Sequence, residues 1–430
     1  MVASLLFRHA LLPNGWAENV RLSFTGGVIT QVEQGVAGGT EIALPGMPNL
    51  HSHCFQRAMA GHVERRGAGQ DSFWTWRELM YKLALSLSPE DVEAVATLAF
   101  VEMLESGFTS VAEFHYLHHA PDGAPYDDIA EMAARIAAAA QAAGIELLLL
   151  PVFYAHAGFG GTAPLAEQRR FINSLDGYGK LYERCGQLAA SGVAPHSLRA
   201  ATPEELTRLA VLAGSRPFHI HIAEQTAEVE ACLAWRQQRP VEFLLANAPV
   251  GPNWCLVHAT HIKPDEAAGI TASGAVAGLC PITEANLGDG IFPAHDFTGA
   301  FGIGSDSNVL IDAARELQML EYSQRLAVRQ RNVMTDETHR ATATALYARA
   351  ARGGAQAMGL QAELAPGAPA SFVTLAGDDP DIALSRSVFC ARAPAIRNVW
   401  VRGRQMVQDG RHALAQAART RFDGVVKKLV

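Results

Sequence analysis

The sequence has no run of basic residues, no long apolar run and no paired cysteine motif. Lysine and arginine are scattered through 430 residues with a net charge of −8, so we expect no nucleic-acid partner. No apolar stretch approaches the roughly 20 residues of a membrane span, and Met1–Arg8 is too short and interrupted for a signal peptide. The six cysteines lack CxxC spacing, which predicts reduced thiols in a cytoplasmic protein.

Charged residues are also few. They make up 18% of the chain, against 49% for hydrophobic residues, which is typical of a well-packed soluble enzyme and excludes a disordered chain. A chain of 430 residues exceeds the size at which single hydrophobic cores usually stop growing. We therefore expect one large barrel-type domain and a smaller one.

Both ends of the chain carry short strand-like runs, and we identify no helix there. Gly26-Gly27 separates two of the runs and predicts a hairpin turn. Neither end is large enough for a stable sheet, so we expect residues 1–46 and 364–430 to form one small β-sandwich domain beside a catalytic domain of residues 47–363. The strand-like runs are residues 4–7, 20–24, 28–32, 371–375, 388–389, 398–402 and 405–408.

Between the ends, apolar strand candidates alternate with helical patterns. The strands are nearly continuous in apolar residues, as expected for parallel strands buried on both faces. Eight of them separated by helices predict an α/β fold, a (β/α)8 TIM-type barrel that helices between about Ala313 and Met358 close. The strand candidates are Met47–His53, Ser110–His115, Glu146–Phe153, Gly192–His196, Phe218–Ile222, Cys255–His258, Ala275–Leu279 and Phe301–Asp306, and the helix candidates include Pro89–Ser106, Tyr126–Ala143, Pro203–Ala213, Thr226–Trp235 and Pro240–Asn247.

Polar residues stand where these apolar strands end. In barrels of this kind the active site lies at the carboxyl ends of the strands. So many polar strand ends are hard to attribute to scatter, and they predict a site at that face. They are His51, His53, His115, Tyr116, His196, Arg199, His221, Glu224, His258 and Asp306.

Three histidines and one aspartate form the predicted metal site. His51 and His53 are two residues apart on a strand, so both point to the same side. In the segment 218–224 we choose His221 as the third ligand, because it is nearer the barrel mouth than His219, which we interpret as a core histidine. Asp306 completes a nitrogen-rich set that suits one divalent ion, above all Zn²⁺.

The neighbouring residues predict hydrolysis at a C=N or C=O carbon. Zinc brings the pKa of a coordinated water toward about 7, and Asp306 can accept the proton of that water. Glu224 can donate a proton to the nitrogen of the substrate. His258 can orient the nucleophile and stabilise charge, whereas His261 belongs to the following loop or helix start.

This ordered pattern resembles the amidohydrolase superfamily. It consists of His51-Ser-His53, His221-Ile-Ala-Glu224, His258 and Asp306. The fourth strand ends in residues 195–199 without a lysine that could bridge two metals, so the resemblance implies a mononuclear site, as in the deaminase and chlorohydrolase branch. That branch also builds a small β-sandwich from both chain ends.

Within the branch, the sequence is similar to the formimidoylglutamate deiminases of histidine degradation. The more specific stretches are residues 49–61, 72–81, 112–119, 194–199 and 219–225. Two positions differ, since Cys54 stands where we expect alanine and Asn308 where we expect histidine. The resemblance implies a homodimer, and it implies substrate contacts at Gln56, Arg77, Tyr116, His196 and Arg199.

The residues themselves agree with a small dicarboxylate substrate. Guanidinium groups bind carboxylates through two parallel hydrogen bonds, and Arg77 and Arg199 both fall near the predicted mouth. Phe73, Trp74 and Trp76 beside Arg77 are consistent with an ordered loop over the pocket and equally with packing residues.

Three alternatives stay open at this point. The chain could be another deaminase or chlorohydrolase of the branch, acting on an aminopurine or triazine ring. It could cleave formimidoylglutamate to glutamate and formamide. It could also be a barrel-fold binding protein that keeps a vestigial metal, although every catalytic position is filled.

Overall fold

The computed structural model describes residues 3–65, 72–335, 339–392 and 395–429. The strands form a parallel barrel and a second sheet built from the two chain ends. Their bounds in chain order are β1 Ala3–Leu12, β2 Gly15–Thr25, β3 Val28–Glu33, β4 Glu41–Pro45, β5 Met47–Ser52, β6 Phe108–His115, β7 Glu146–Phe153, β8 Ala190–Ser191, β9 Ala194–Pro195, β10 Phe218–Ile222, β11 Trp254–His258, β12 Val276–Leu279, β13 Ala300–Ile303, β14 Phe372–Ala376, β15 Ile396–Val401, β16 Arg404–Gln408 and β17 Arg411–His412.

The barrel is closed and has eight strand positions in the part of the chain that the structure describes. Strands β5 to β8 are parallel neighbours, β9 also pairs with β7, and β10 to β13 form the other parallel arc. Single bridges join Val193 to Phe218 and Ser52 to Asp306, and so close the two seams. The predicted (β/α)8 barrel is confirmed, with its fourth strand broken between β8 and β9.

Helices cover the outside of the barrel, and their first residues follow from local capping. Helix α2 begins after Ser88, whose hydroxyl accepts from Asp91 N while the Asp91 carboxylate accepts from Ser88 N. Proline follows the cap, where its missing N–H is not needed. The bounds are α1 Phe73–Ser86, α2 Pro89–Glu105, α3 Glu131–Ala143, α4 Leu175–Cys185, α5 Pro203–Ala213, α6 Thr226–Arg236, α7 Pro240–Asn247, α8 Pro264–Ser273, α9 Pro281–Leu287, α10 Ala313–Val328, α11 Thr342–Met358, α12 Pro380–Phe389 and α13 Ala415–Leu429.

The chain ends share one mostly antiparallel sheet. Its strand order is β17-β16-β15-β14-β4-β1-β2-β3, with β1 and β4 parallel. Strand β4 leads through Gly46 directly into β5, the first barrel strand. The division into residues 1–46 with 364–430 and residues 47–363 stays a prediction.

Two features of the C-terminal end differ from the sequence-based expectation. Residues 388–389 end helix α12 and do not form a strand, because Asp379 caps a helix that starts at Pro380. The expectation that the chain ends contain no helix was also wrong. Helix α12 packs against α10 and α11, and α13 packs against α2. Among the described residues, none of the helices combines the length and apolar character needed to cross a membrane.

Helix α11 approaches the barrel wall closely at a pair of glycines. A Cβ atom at Gly353 would overlap the carbonyl oxygen of Phe301 in β13, and Gly354 lies against Gly302. The backbones can therefore pack in direct contact only while these positions have no side chain.

We predict that Gly353→Ala lowers the free energy of unfolding by about 1–3 kcal/mol, because the added methyl group overpacks a rigid backbone contact. Urea unfolding followed by circular dichroism measures the change. Gly424→Ala is the matched control, since Gly424 lies exposed in α13 with open space around its Cβ position, and alanine there should preserve or raise stability. Equal stability of both variants would contradict the close-contact interpretation.

Candidate active site

Four predicted ligand residues converge at the carboxyl end of the barrel. The Nε2 atom of His51 lies 3.2 Å from His53 Nε2 and 2.9 Å from His221 Nε2. The Asp306 Oδ1 atom lies 3.5 Å from His51 Nε2 and 3.3 Å from His53 Nε2. One ligand atom of each residue thus surrounds a common point, as a mononuclear metal site requires.

Backbone carbonyl groups orient two of the imidazole rings. His53 Nδ1 donates to Phe114 O at 2.8 Å, and His221 Nδ1 donates to His196 O at 2.9 Å. Each Nε2 atom therefore presents its lone pair to the site. Burial lowers the pKa of all three histidines, that of His51 to about 3, so the rings are neutral near pH 7, the form that binds metal.

The turn that carries Asp306 is held by a buried amide network. Asn308 Nδ2 donates to Ser52 Oγ at 3.1 Å, and Ser305 Oγ donates to Asn308 Oδ1 at 2.7 Å. Asn49 bonds Ser305 through both its amide atoms. The network supports positive φ angles of 44° at Asp306 and 56° at Asn308, a conformation that needs such support. Asn308 thus positions the aspartate.

Glu224 and His258 lie beside this cluster. His258 Nε2 is 3.7 Å from Glu224 Oε1 and 3.9 Å from Asp306 Oδ2, while its Nδ1 contacts Glu284 Oε1 at 3.2 Å. Glu228 accepts hydrogen bonds from the backbone N–H of Glu224 at 3.3 Å and of the residue before it, which fixes the start of the loop after β10.

The surroundings of Glu224, His258 and Asp306 shift the pKa of each side chain differently. Burial raises the pKa of Glu224 to about 7, so its carboxyl group can hold a proton near neutral pH. Burial lowers the pKa of His258, but the surrounding carboxylates, Glu224 first, outweigh it and raise the value to about 10. Contacts with His51 and His258 outweigh the effect of burial on Asp306 and lower its pKa, which keeps that carboxyl group ionised.

The five predicted substrate residues line one cavity together with the catalytic candidates. Gln56 Nε2 donates to the Tyr116 hydroxyl at 2.7 Å, and Gln56 Oε1 is buried without a partner among the described residues. The remaining three are His196, Arg77 and Arg199.

The aromatic stretch next to Arg77 is not a loop, as the sequence suggested, but the first turn of helix α1. Phe73 and Trp76 line the cavity, whereas Trp74 is exposed and stacks under the Arg77 guanidinium at 4.4 Å from the ring centroid. Ser72 caps the helix with its hydroxyl, so a capping signal was present in the sequence.

Comparison with known proteins decides the family. Residues 42–406 match the family model of the amidohydrolase family, and residues 7–41 match that of the formimidoylglutamate deiminase HutF N-terminal domain. The formimidoylglutamate deiminase of Pseudomonas aeruginosa is 48% identical, and the alignment covers 100% of both chains. The chain belongs to the formimidoylglutamate deiminases of the amidohydrolase family.

Solved structures agree with this family at the level of the fold. A crystal structure of an amidohydrolase from Brucella melitensis is 51% identical, covers 99% of both chains and gives a TM-score of 0.96. A crystal structure of an adenosine deaminase from Xanthomonas campestris with bound zinc is 21% identical, covers 99% of this chain and 98% of that one, and gives a TM-score of 0.80. The second shows the shared fold alone.

The structure also shows where the other histidines named from the sequence and Cys54 lie. His219 bonds Ala357 O in the core at 2.8 Å, and His261 bonds Asp289 O at 2.8 Å outside the candidate metal cluster. His115 ends β6 but packs against His118, and it is not among the residues that line the cavity. Cys54 is buried, and its backbone N–H donates to Glu113 Oε1 at 2.7 Å.

Sequence reasoning missed further residues near the site. Tyr81 and Tyr154 line the cavity beside the two arginines, and Asp289 lies near Glu224 and His258. Tyr154 follows β7 directly, so its position at a strand end was a usable signal. Tyr81 lies on a face of helix α1 and Asp289 on a loop far along the chain, so neither stands at a strand end that would have indicated the site.

We predict that the metal-free protein binds one zinc ion and that His221→Ala weakens this binding by more than about 100-fold, since ligand loss exceeds the effect of losing a supporting group. Competition with a chromophoric chelator measures the affinity. His62→Ala is the control, because His62 is exposed and should leave the affinity unchanged. Equal zinc affinity of the His221 variant and the wild type would exclude the proposed ligand set.

Proposed function

We propose that this protein hydrolyses N-formimino-L-glutamate to N-formyl-L-glutamate and ammonia, a deimination step of histidine degradation. The observation that carries the proposal is one cavity whose wall contains His53, His221 and Asp306 of the cluster together with Arg77 and Arg199. A dicarboxylate needs two cationic partners. The similarity to the Pseudomonas enzyme supports the same reaction.

The proposal assigns His51, His53, His221 and Asp306 as ligands of a single zinc ion. Three imidazole nitrogens and one carboxylate are a donor set that suits zinc, and the neutral state of the buried rings fits this role. A zinc ion held there would activate a water molecule as a nucleophile at neutral pH.

The residues of the chain then move the protons. Asp306 accepts the proton of the attacking water, and Glu224 donates its proton to the imino nitrogen as the C–O bond forms. His258, whose Nε2 lies 3.7 Å from Glu224 Oε1 and 3.9 Å from Asp306 Oδ2, orients the attacking oxygen and stabilises the negative charge on it. The hydroxyl proton of the tetrahedral carbon returns to Glu224, the proton on Asp306 passes to the amine, and the C–N bond breaks to release ammonia.

Substrate orientation is assigned to the other cavity residues. Arg77 and Arg199 bind the two carboxylates. Gln56 and Tyr116 form a hydrogen-bonded pair that can contact a carboxylate or the formimino group. His196 is neutral because burial lowers its pKa well below the usual value, so it contributes a hydrogen bond without a charge.

The proposal also includes a cytoplasmic homodimer with a small domain of residues 1–46 and 364–430 beside a catalytic domain of residues 47–363. An aminopurine or triazine substrate is disfavoured, because a neutral ring offers no carboxylate for the guanidinium groups of Arg77 and Arg199 to bind.

The decisive experiment incubates the zinc-loaded protein with N-formimino-L-glutamate and identifies both products. We expect ammonia and N-formyl-L-glutamate in equal amounts. Glutamate and formamide would instead show that the bond between the formimino carbon and the glutamate nitrogen is the one that breaks. Absence of all four products would overturn the proposed function.

We predict that Glu224→Gln lowers kcat by about 100- to 10,000-fold, the range that general acid–base catalysis contributes, because the amide cannot donate a proton as the carboxyl group does. Zinc content, measured by atomic absorption, should equal that of the wild type. Glu204→Gln is the control, because Glu204 is exposed in α5. The neighbouring Gln225 is unsuitable, because its side chain contacts Asp289. Loss of zinc from the Glu224 variant would mean that Glu224 is a ligand.

A further inference from the structure

Two tyrosine hydroxyl groups outside the assigned substrate contacts lie near both arginines. Tyr81 projects from α1 and Tyr154 follows β7, and both are buried and line the cavity. The Arg77 guanidinium lies 5.6 Å from the centroid of the Tyr81 ring. Burial raises the pKa of Tyr154, whereas the charges of Arg199 and Arg77 both act to lower it, so both guanidinium groups are near its hydroxyl.

Gln168 determines the direction of the hydrogen bonds at this place. Its Oε1 atom accepts from the backbone N–H of Leu165 at 2.8 Å, and a backbone N–H can only donate. The amino group of Gln168 therefore faces the tyrosines. It donates to the Tyr81 oxygen at 3.1 Å and to the Tyr154 oxygen at 2.9 Å.

Each tyrosine oxygen thus acts as an acceptor toward Gln168, which leaves its own hydrogen to be donated elsewhere. Within the described residues, no hydrogen bond has either tyrosine hydroxyl as donor at ordinary distance. If Tyr154 donates to Tyr81, with which it interacts, the hydrogen of Tyr81 still lacks an acceptor. At least one hydroxyl hydrogen is therefore available to the cavity, between two cations, where a carboxylate oxygen is the complementary acceptor.

The support of Gln168 is rigid. It ends a short 3-10 turn, Ala166–Gln168, and is itself almost fully buried. Two residues later along the same loop, the side chain of Arg170 is completely buried and donates to His119 O at 2.7 Å and to Leu87 O at 2.8 Å. The Gln168 amide is consequently held in place before any ligand binds, which reduces the entropy lost on binding.

We propose that the pair Tyr81 and Tyr154, aligned by Gln168, donates at least one hydroxyl hydrogen bond to a carboxylate of the substrate between Arg77 and Arg199, and so helps select an N-substituted dicarboxylic amino acid. The inference rests on the proposed function and deepens it. Tyr81 and Tyr154 are specificity-determining residues, and Gln168 is a positioning residue.

The experiment compares three ligands on the zinc-loaded full chain by calorimetry: N-formyl-L-glutamate and its two monoamides, each lacking one carboxylate. We expect Tyr81→Phe or Tyr154→Phe, or both, to weaken N-formyl-L-glutamate binding by about tenfold, the value of one hydrogen bond to a charged group. The loss should shrink below about threefold for the monoamide that lacks the contacted carboxylate. Tyr182→Phe is the matched control, because its hydroxyl bonds Arg216 away from the cavity.

Kinetics test the role of Gln168. Gln168→Met keeps the length of the side chain but removes both amide atoms, and it should raise KM for N-formimino-L-glutamate by about tenfold or more with kcat within about threefold. An equal fall in kcat at unchanged KM would overturn the positioning role.

Other outcomes separate this inference from the function on which it rests. Losses that are equal for the diacid and both monoamides, or below twofold in both tyrosine variants, would overturn the carboxylate subsite while turnover by the wild type still supports the proposed function. If the tyrosine variants show the expected pattern of binding but the wild type does not turn over N-formimino-L-glutamate, the proposed reaction is overturned and the subsite is supported. Failure of the wild type to bind the diacid would overturn the subsite, and turnover of N-formimino-L-glutamate would still decide the proposed function separately.

Discussion

Closure of the barrel between its first and last strands is the constraint on which the site depends. The backbone of Asp306 bonds both ways across this seam, since its N–H donates to His51 O at 3.0 Å and its carbonyl accepts from His53 N at 2.8 Å. The same exchange of hydrogen bonds that completes the barrel therefore sets three of the four candidate ligands against one another. The buried amide of Asn308 then holds the turn at this seam.

Much of this arrangement could be predicted because strands and their ends are local properties of a sequence. Apolar runs of four to eight residues placed the barrel strands within a few residues of their observed bounds. Parallel strands end on one face, so His51, His221 and Asp306 had to be neighbours once the barrel was inferred. The cavity accordingly brings together most of the residues predicted from strand ends, and His51 lies behind it in the cluster with His53, His221 and Asp306.

Other features depend on contacts that no local pattern encodes. Gln168 lies on a loop far along the chain from Tyr81, and only the tertiary structure makes the two partners. The apolar pair 388–389 was too short to carry a periodicity, although the start of the helix at Asp379-Pro380 is a local signal that the sequence does contain. Asn308 had no evident role until its hydrogen bonds to Ser52 and Ser305 were known.

The direct passage from β4 through Gly46 into β5 has a thermodynamic consequence. Strand β4 pairs with β1 and β14 in the terminal sheet, while β5 carries His51 into the candidate metal cluster. An ion that binds only the folded cluster stabilises everything that must unfold together with β5, by linkage. Slower amide hydrogen exchange in β1, β4 and β14 on addition of zinc is therefore the expected sign that the two sheets form one cooperative unit.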